Sequence, residues 1–365
     1  MEEDKGQAAR KLSHYSRKRV VIVDDSRTIR SWLRHVLESD PRLDVVGEAD
    51  CALTARQIIK QMKPDVITLD IEMPGMSGLD FLEKVMSLHP LPVVMISGAT
   101  KSNSEATVTA LSLGAVDCIL KPTSVSDPAT MRDIARRVFA AACSTAQVMR
   151  RQPPLAAATS GRVPPDRMPI ILIGASTGGV AALETVLADL HLDCPPVVVV
   201  QHMPGAFLAS FAQKLNRQLA QDVAVAREGE ALSYGQIRLA PSQGRHTQVQ
   251  RRGGTWQCRF TADASGALHC PSVDILFHSA VSYAPDVIAG ILTGLGRDGA
   301  QGLLELRRAG ADTIGQDGPT SVIYGMPRAA FELGAVQTQL PLDQIGEALN
   351  RAVRLHAGQQ GVVRP

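Results

Sequence analysis

A chain of 365 residues with 45% hydrophobic and 20% charged residues has a globular composition, and its length predicts two domains that each bury a core. A net charge of +2 is too small to create a field for nucleic acid or membrane, and the basic cluster at Arg10–Arg19 reads as an exposed N-terminal tail. The opening "MEEDKGQAARKLSHYS" lacks the apolar stretch of a secretion signal, and no apolar run is long enough to span a bilayer. The six cysteines (Cys51, Cys118, Cys143, Cys194, Cys258 and Cys270) are scattered, with no Cys-x-x-Cys pair and no ligand-like spacing. They predict reduced packing residues in a cytoplasmic protein.

Along the first block, "VVIV" (Val20–Val23), "DVITLD" (Asp65–Asp70), "PVVMIS" (Pro92–Ser97) and "DCILKP" (Asp117–Pro122) read as buried strands. Amphipathic helical patterns such as "SRTIRSWLRHVLES" and "MSGLDFLEKVMSLH" lie between them, which predicts a parallel sheet covered on both faces. Chemistry in such a sheet gathers beyond the carboxyl ends of the strands. Asp24 and Asp25 follow one strand, Asp70 and Ser97 end two others, and Lys121 follows a fourth. Carboxylates that repel one another suit a hard cation such as Mg²⁺. The lysine and the hydroxyl suit the oxygens of a phosphoryl group. Acids that merely solvate loop mouths would explain any single position, but not five matched positions at four strand ends.

"RRQPPLAAATSGRVPPDRMP" (Arg150–Pro169) carries five prolines and little periodicity, so it reads as an interdomain linker. The second block offers strands at "IILIG", "PVVVVQHM" (Pro196–Met203), "QIRLAP" (Gln236–Pro241) and "DVIAGILTG" (Asp286–Gly294). "HTQVQRRGGTWQCRFT" places Gly253-Gly254 between alternating segments, as in a β-hairpin. "IILIGASTGGVAALETVL" (Ile170–Leu187) is a strand, a glycine-rich turn and a helix, and such a turn either cradles phosphate or presents a nucleophile. The dinucleotide fingerprint fails, because Ser176 stands at its second glycine and the next strand ends in "QHMPG" without an acid. No Gly-Lys-Ser/Thr follows for a P-loop. Gly174-Ala175-Ser176-Thr177-Gly178 does satisfy Gly-x-Ser-x-Gly.

A serine hydroxyl needs a base, and the base needs an orienting acid. His202 ends the neighbouring strand candidate, and Asp298 lies in a glycine-rich loop after another. His246 is the alternative base. Each residue also has a plain structural explanation: a helix N-cap for Ser176, a satisfied strand-end histidine for His202, a turn residue for Asp298. The order Ser176, His202, Asp298 differs from that of the α/β hydrolases.

"VVIVDDSRTIR", "DVITLDIEMPGMSGLDFL", "VVMISG" and "GAVDCILKP" resemble a two-component receiver domain. "IGASTGG", "VVVVQHMP", "CPSVDILFHS", "ILTGLGRDGA" and "QDGPTSVIYGMPRAA" resemble the catalytic domain of the chemotaxis-type protein-glutamate methylesterases, the CheB family. The resemblance implies a flavodoxin-like receiver followed by a doubly wound α/β methylesterase domain with a β-hairpin insertion. The expected layout is a tail over 1–18, a receiver over 19–140, a linker over 141–168, a catalytic domain over 169–356 and a tail over 357–365. The resemblance also implies that Asp70 accepts a phosphoryl group from a chemotaxis histidine kinase. Asp24, Asp25, Asp70 and the Glu72 carbonyl would serve Mg²⁺, with Ser97 and Lys121 as switch residues. Ser176, His202 and Asp298 would hydrolyse glutamate methyl esters on chemoreceptors, releasing methanol without a cofactor at the esterase site, and the same acyl-enzyme would serve glutamine deamidation. The receiver would inhibit until phosphorylated. "SGAT" lacks the second hydroxyl common after the switch position, and Cys270 replaces a basic residue often found before "PSVD".

Two rivals remain at this stage. A transcription regulator would carry a basic helix-turn-helix near its C-terminus, yet "RAAFELGAVQTQLPLDQIGEALNRAVRL" is not notably basic, so no nucleic-acid partner is expected. The other rival is a receiver joined to an inert scaffold.

Overall fold

The computed structural model describes residues 17–98, 100–121, 127–144, 168–242, 244–263 and 269–359. The expected tails and linker fall almost entirely outside these residues. The chain divides into two compact units.

The first unit contains the sheet built from β1 (Lys18–Val23), β2 (Leu43–Ala49), β3 (Val66–Asp70), β4 (Val93–Ser97) and β5 (Asp117–Leu120). Its strands run parallel in the order β2-β1-β3-β4-β5, the flavodoxin-like arrangement. The helices alternating with them along the chain are α1 (Arg27–Glu38), α2 (Ala52–Met62), α3 (Gly78–Leu88), α4 (Lys101–Ser112) and α5 (Pro128–Ala142), of which α4 falls in the second unit. Local chemistry sets where helices begin. Ser26 Oγ accepts from the Ile29 N–H, and Ser77 Oγ accepts from the Asp80 N–H. Asp127 accepts from the Ala129 and Thr130 N–H groups ahead of Pro128 in the first turn. Each such cap contributes about 1 kcal/mol. The edge strand β2 was not among the strands read from hydrophobic runs. Its exposed Asp44 and its Glu48, which pairs with Arg30 and Arg34, break the apolar pattern.

The second unit holds a seven-stranded parallel sheet of β6 (Ile170–Ala175), β7 (Val197–Gln201), β8 (Asp222–Val225), β9 (Gln236–Leu239), a hairpin of β10 (Arg245–Arg252) and β11 (Thr255–Ala262), then β12 (Val287–Ile291), β13 (Asp312–Gln316) and β14 (Thr338–Leu340). The hairpin stands apart, and the sheet order is β14-β13-β12-β6-β7-β9-β8. Its helices are α6 (Gly179–Ala188), α7 (Gly205–Gln218), α8 (Val273–Ser279), α9 (Ala300–Arg308), α10 (Met326–Glu332) and α11 (Leu342–Gln359). β6 lies between β7 and β12, so chain order reverses there. In an open α/β sheet that reversal opens a crevice at the strand carboxyl ends.

The hairpin turns at Gly253-Gly254 and pairs Arg252 with Thr255. Trp256 fixes it to the unit: the ring is fully buried and its Nε1–H donates to the Met168 carbonyl at 2.8 Å. The Arg251 guanidinium lies over that ring at 4.6 Å and pairs with Asp286 at 2.7 Å. β13 escaped the reading of apolar runs because its buried Thr313 and Gln316 are polar. Thr313 Oγ1 donates to the Ala335 carbonyl, and Gln316 Oε1 accepts from the Thr293 N–H.

Candidate active site

The register pairs Ala175 of β6 with Gln201 of β7, so Ser176 and His202 each stand one residue beyond a paired position on adjacent strands. The His202 N–H donates to the Ala175 carbonyl at 3.0 Å, holding the two strand ends together. Ser176 is gripped through its backbone from both sides. Its N–H donates to the Thr293 carbonyl at 3.0 Å, and its carbonyl accepts from Gln201 Nε2 at 2.9 Å. Ser176 is not the N-cap of α6; that position is Gly178, in a left-handed conformation at φ 77° where a side chain would also strike Val322. Gly294 is needed for another reason. A Cβ there would sit 2.7 Å from Ser176 Cβ and 2.3 Å from Met326 Sδ.

Asp298 reaches His202 across the end of β6. Its Oδ2 accepts from His202 Nε2 at 2.9 Å. The same carboxylate also accepts from Ser272 Oγ at 2.8 Å, from the Val273 N–H at 2.8 Å and from the Asp274 N–H at 3.0 Å. Burial alone would raise its pKa. The His202 hydrogen bond and charge, with the Asp274 and Val273 N–H groups, outweigh burial and hold Asp298 well below the usual carboxylate range. Asp274 shifts the other way: burial pushes it up against the Gly302 N–H, and the Asp298 charge adds to the rise.

An ionised Asp298 can only accept, so Nε2 of His202 carries the proton and Nδ1 keeps a free lone pair. Nδ1 is buried and has no hydrogen-bond partner among the described residues. The two ring nitrogens thus take the opposite parts to those in the chymotrypsin-type triad, where Nδ1 faces the acid. The His202 ring also stacks on His269, with centroids 4.2 Å apart and planes at 22°. His269 was not singled out from the sequence; its position immediately before "CPSVD" was the available signal.

His246, the alternative base, has both ring nitrogens engaged. It is buried, its Nδ1 accepts from the Ser272 N–H at 3.1 Å, and its Nε2 meets Asp263 at 3.1 Å. Its accepting nitrogen is occupied, so it supports the segment that delivers three donors to Asp298. His246, Asp263 and Cys270 bring possible ligand atoms within 4.8 Å of one another, a grouping that sequence spacing did not reveal. A metal does not suit it. Nδ1 takes a backbone N–H, which leaves the proton on Nε2, and burial with the Asp263 charge pushes the Cys270 thiol up. In the glycine-rich loop, the Thr293 N–H is committed to Gln316 and the Gly294 N–H to the Ile323 carbonyl, so neither is available to an oxyanion.

In the first unit, Asp24, Asp70, Ser97 and Lys121 come together at the carboxyl edge of the sheet. Lys121 Nζ donates to Asp70 Oδ2 at 2.7 Å and lies 3.0 Å from Asp24 Oδ2. Asp24 is fully buried, and one ammonium, Lys121, serves both its carboxylate and that of Asp70. Asp24, Asp25 and Asp70 each place a carboxylate oxygen within 4.8 Å of the others, and Asp25 is exposed. Three carboxylates crowded together with a single lysine between two of them fit a hard divalent cation. Burial, with the nearby Asp24 charge, raises Asp70 against the lowering effect of Lys121. Ser97 is buried, and its Oγ donates to the Gly98 carbonyl. The Glu72 side chain is exposed, and its backbone N–H donates to Asp70.

A flavodoxin-like receiver joined to a doubly wound α/β unit with a serine elbow defines a response regulator with an enzymatic output. The family model for the CheB methylesterase matches residues 171–349, and that for the response regulator receiver domain matches residues 20–133. A protein-glutamate methylesterase/protein-glutamine glutaminase of Rhizobium johnstonii is 49% identical over 337 residues, 91% of this chain and 95% of that protein. One from Pseudomonas aeruginosa is 44% identical over 349 residues, 93% of this chain and 99% of that protein. The CheB methylesterase catalytic domain of Thermotoga maritima matches at 33% identity and TM-score 0.48, over 51% of this chain and 98% of that one. The chain belongs to the CheB family of methylesterases, in the form that carries an N-terminal receiver domain.

Proposed function

We propose that this chain is a phosphorylation-regulated protein-glutamate methylesterase acting on methylated chemoreceptors in the cytoplasm, with glutamine deamidation as a second use of the same site. The observation that carries the reading is the charge-assisted His202–Asp298 contact, which leaves Nδ1 of His202 as a buried, unpartnered base beside the Ser176 strand end. Ser176 Oγ attacks the ester carbonyl while Nδ1 takes its proton. The tetrahedral intermediate collapses, the C–O bond to methoxide breaks, and Nδ1 returns the proton so that methanol leaves. Water then attacks the acyl-enzyme, gives its proton to Nδ1, and releases glutamate and Ser176. Asp298 stabilises the imidazolium through Nε2 at both stages. Backbone N–H groups of the elbow at Thr177, or of the 295–297 loop, are the proposed oxyanion donors; each such donor is worth about 3–4 kcal/mol. An amide side chain reacts by the same steps with ammonia as leaving group.

In the receiver, Asp24, Asp25, Asp70 and the Glu72 carbonyl would hold Mg²⁺, which neutralises charge on the incoming phosphoryl oxygens. Asp70 accepts the phosphoryl group from a chemotaxis histidine kinase. Lys121 and Ser97 bind its oxygens, and the unphosphorylated receiver restrains the esterase. Among the described residues no helix is long and apolar enough to cross a membrane, and all six cysteines are free.

The test is methanol release from methyl-labelled receptor membranes by the full-length protein, with and without Mg²⁺ and a small acyl-phosphate donor. Release that rises with the donor is the expected result. Release no greater than that of Ser176→Ala refutes the reading.

A further inference from the structure

In the receiver unit, α2 and α3 border a groove of about 1110 Å³. Its walls are largely aliphatic and aromatic side chains from both helices and the loops on either side of them. The two most exposed large hydrophobic side chains among the described residues, Leu53 at 70% and Leu88 at 67%, stand on it. Apolar surface of this kind, grouped and open to water, marks a binding face.

Its charge is one-sided. Arg56, Lys60, Lys63 and Lys84 line the groove, and no carboxylate is among its lining residues. None of the four makes an ion pair among the described residues. An apolar trough rimmed by unpaired cations calls for the complementary surface: apolar residues along one stripe and acids beside it. A trough between two helices, with no open strand edge, takes that surface as a helix. A second copy of this face would set cation against cation, which disfavours self-pairing. The first 16 residues of this chain balance their three acids with three bases and hold a single leucine, so they lack such a stripe.

We propose that the α2–α3 groove docks an acidic amphipathic helix of a partner protein. The proposal is independent of the esterase reading. The probes are two labelled synthetic peptides of about 18 residues, long enough to hold a helix. They share one leucine stripe, flanked by Glu in one and by Lys in the other. Fluorescence anisotropy against the full-length protein should show the Glu peptide binding at least about tenfold more tightly than the Lys peptide. The Lys60→Glu/Lys84→Glu variant should reverse that preference, and Leu53→Ser/Leu88→Ser should weaken both peptides. All four side chains are exposed, so folding is not at stake, and circular dichroism checks it. Equal binding of the two peptides, no binding of the Glu peptide, or a preference unchanged by the Lys60→Glu/Lys84→Glu variant overturns the proposal. A concentration-dependent dimer in sedimentation that is lost in Leu53→Ser/Leu88→Ser also overturns it, by giving the face to a second copy.

Discussion

His202 and Asp298 leave strands on opposite sides of β6 and meet at 2.9 Å through Nε2 and Oδ2. That contact spends one imidazole nitrogen on the acid and leaves the other open, the nitrogen proposed as the base. Ser176→Ala and His202→Ala should each lower methanol release about 10⁴- to 10⁶-fold, and the double variant should be little worse, because nucleophile and base act as one unit. Asp298→Asn should be severe but milder than either. Initial rates with purified protein check this, and a Ser176→Ala variant retaining most activity would remove the nucleophile assignment.

The depressed pKa of Asp298 ties stability to pH in a definite direction. Its folded pKa lies below the unfolded carboxylate value of about 3.9. The stabilisation is therefore fully present above about pH 4 and declines as pH falls from there toward the folded value. Urea unfolding of wild type and Asp298→Asn across pH 3 to 7 (about that window) should show a stability gap that narrows only at the acid end. A gap that instead narrowed between neutral pH and pH 5 would contradict it.

At Gly294 the loop after β12 passes too close to Ser176 for any side chain. Gly294→Ala places a methyl group 2.7 Å from Ser176 Cβ and 2.3 Å from Met326 Sδ, and the elbow must shift. A displacement of about 1 Å costs on the order of 100-fold in rate. Gly290→Ala, whose Cβ would meet only Ile173 Cγ1 at 3.9 Å, is the control and should stay close to wild type.

Trp256→Ala should cost about 3–5 kcal/mol in urea unfolding, because it empties a fully buried site and removes the anchor of the hairpin. Trp256→Phe keeps most of the apolar volume but forfeits the bond to the Met168 carbonyl, a smaller loss of about 1 kcal/mol beyond the packing change.

Labelling by a small acyl-phosphate donor should require both Asp70 and Mg²⁺. Asp70→Asn or chelation should abolish it, and the wild-type label should be released by hydroxylamine, as an acyl phosphate is. Label that persists in Asp70→Asn, or a hydroxylamine-stable product, would exclude Asp70 as the sole acceptor.

The sequence by itself determined where chemistry could gather. Short β-branched runs bounded by turn residues read as strands buried on both faces, so Asp24, Asp70, Ser97, Lys121, Ser176 and His202 were legible at strand ends, and Asp298 in the loop after one. Short or polar strands were not legible. β2 and β13 carry Asp44, Glu48, Thr313 and Gln316, whose polarity hides a strand until their partners are known. Tertiary structure alone distinguishes the surroundings of His202 from those of His246. Both histidines have a carboxylate at hydrogen-bond distance, and only the fold shows that the Ser272 N–H occupies the accepting nitrogen of His246 while Nδ1 of His202 stays open. The physical reason is that composition and spacing fix which groups exist and on which element, whereas a tautomer depends on donors contributed by segments tens of residues away.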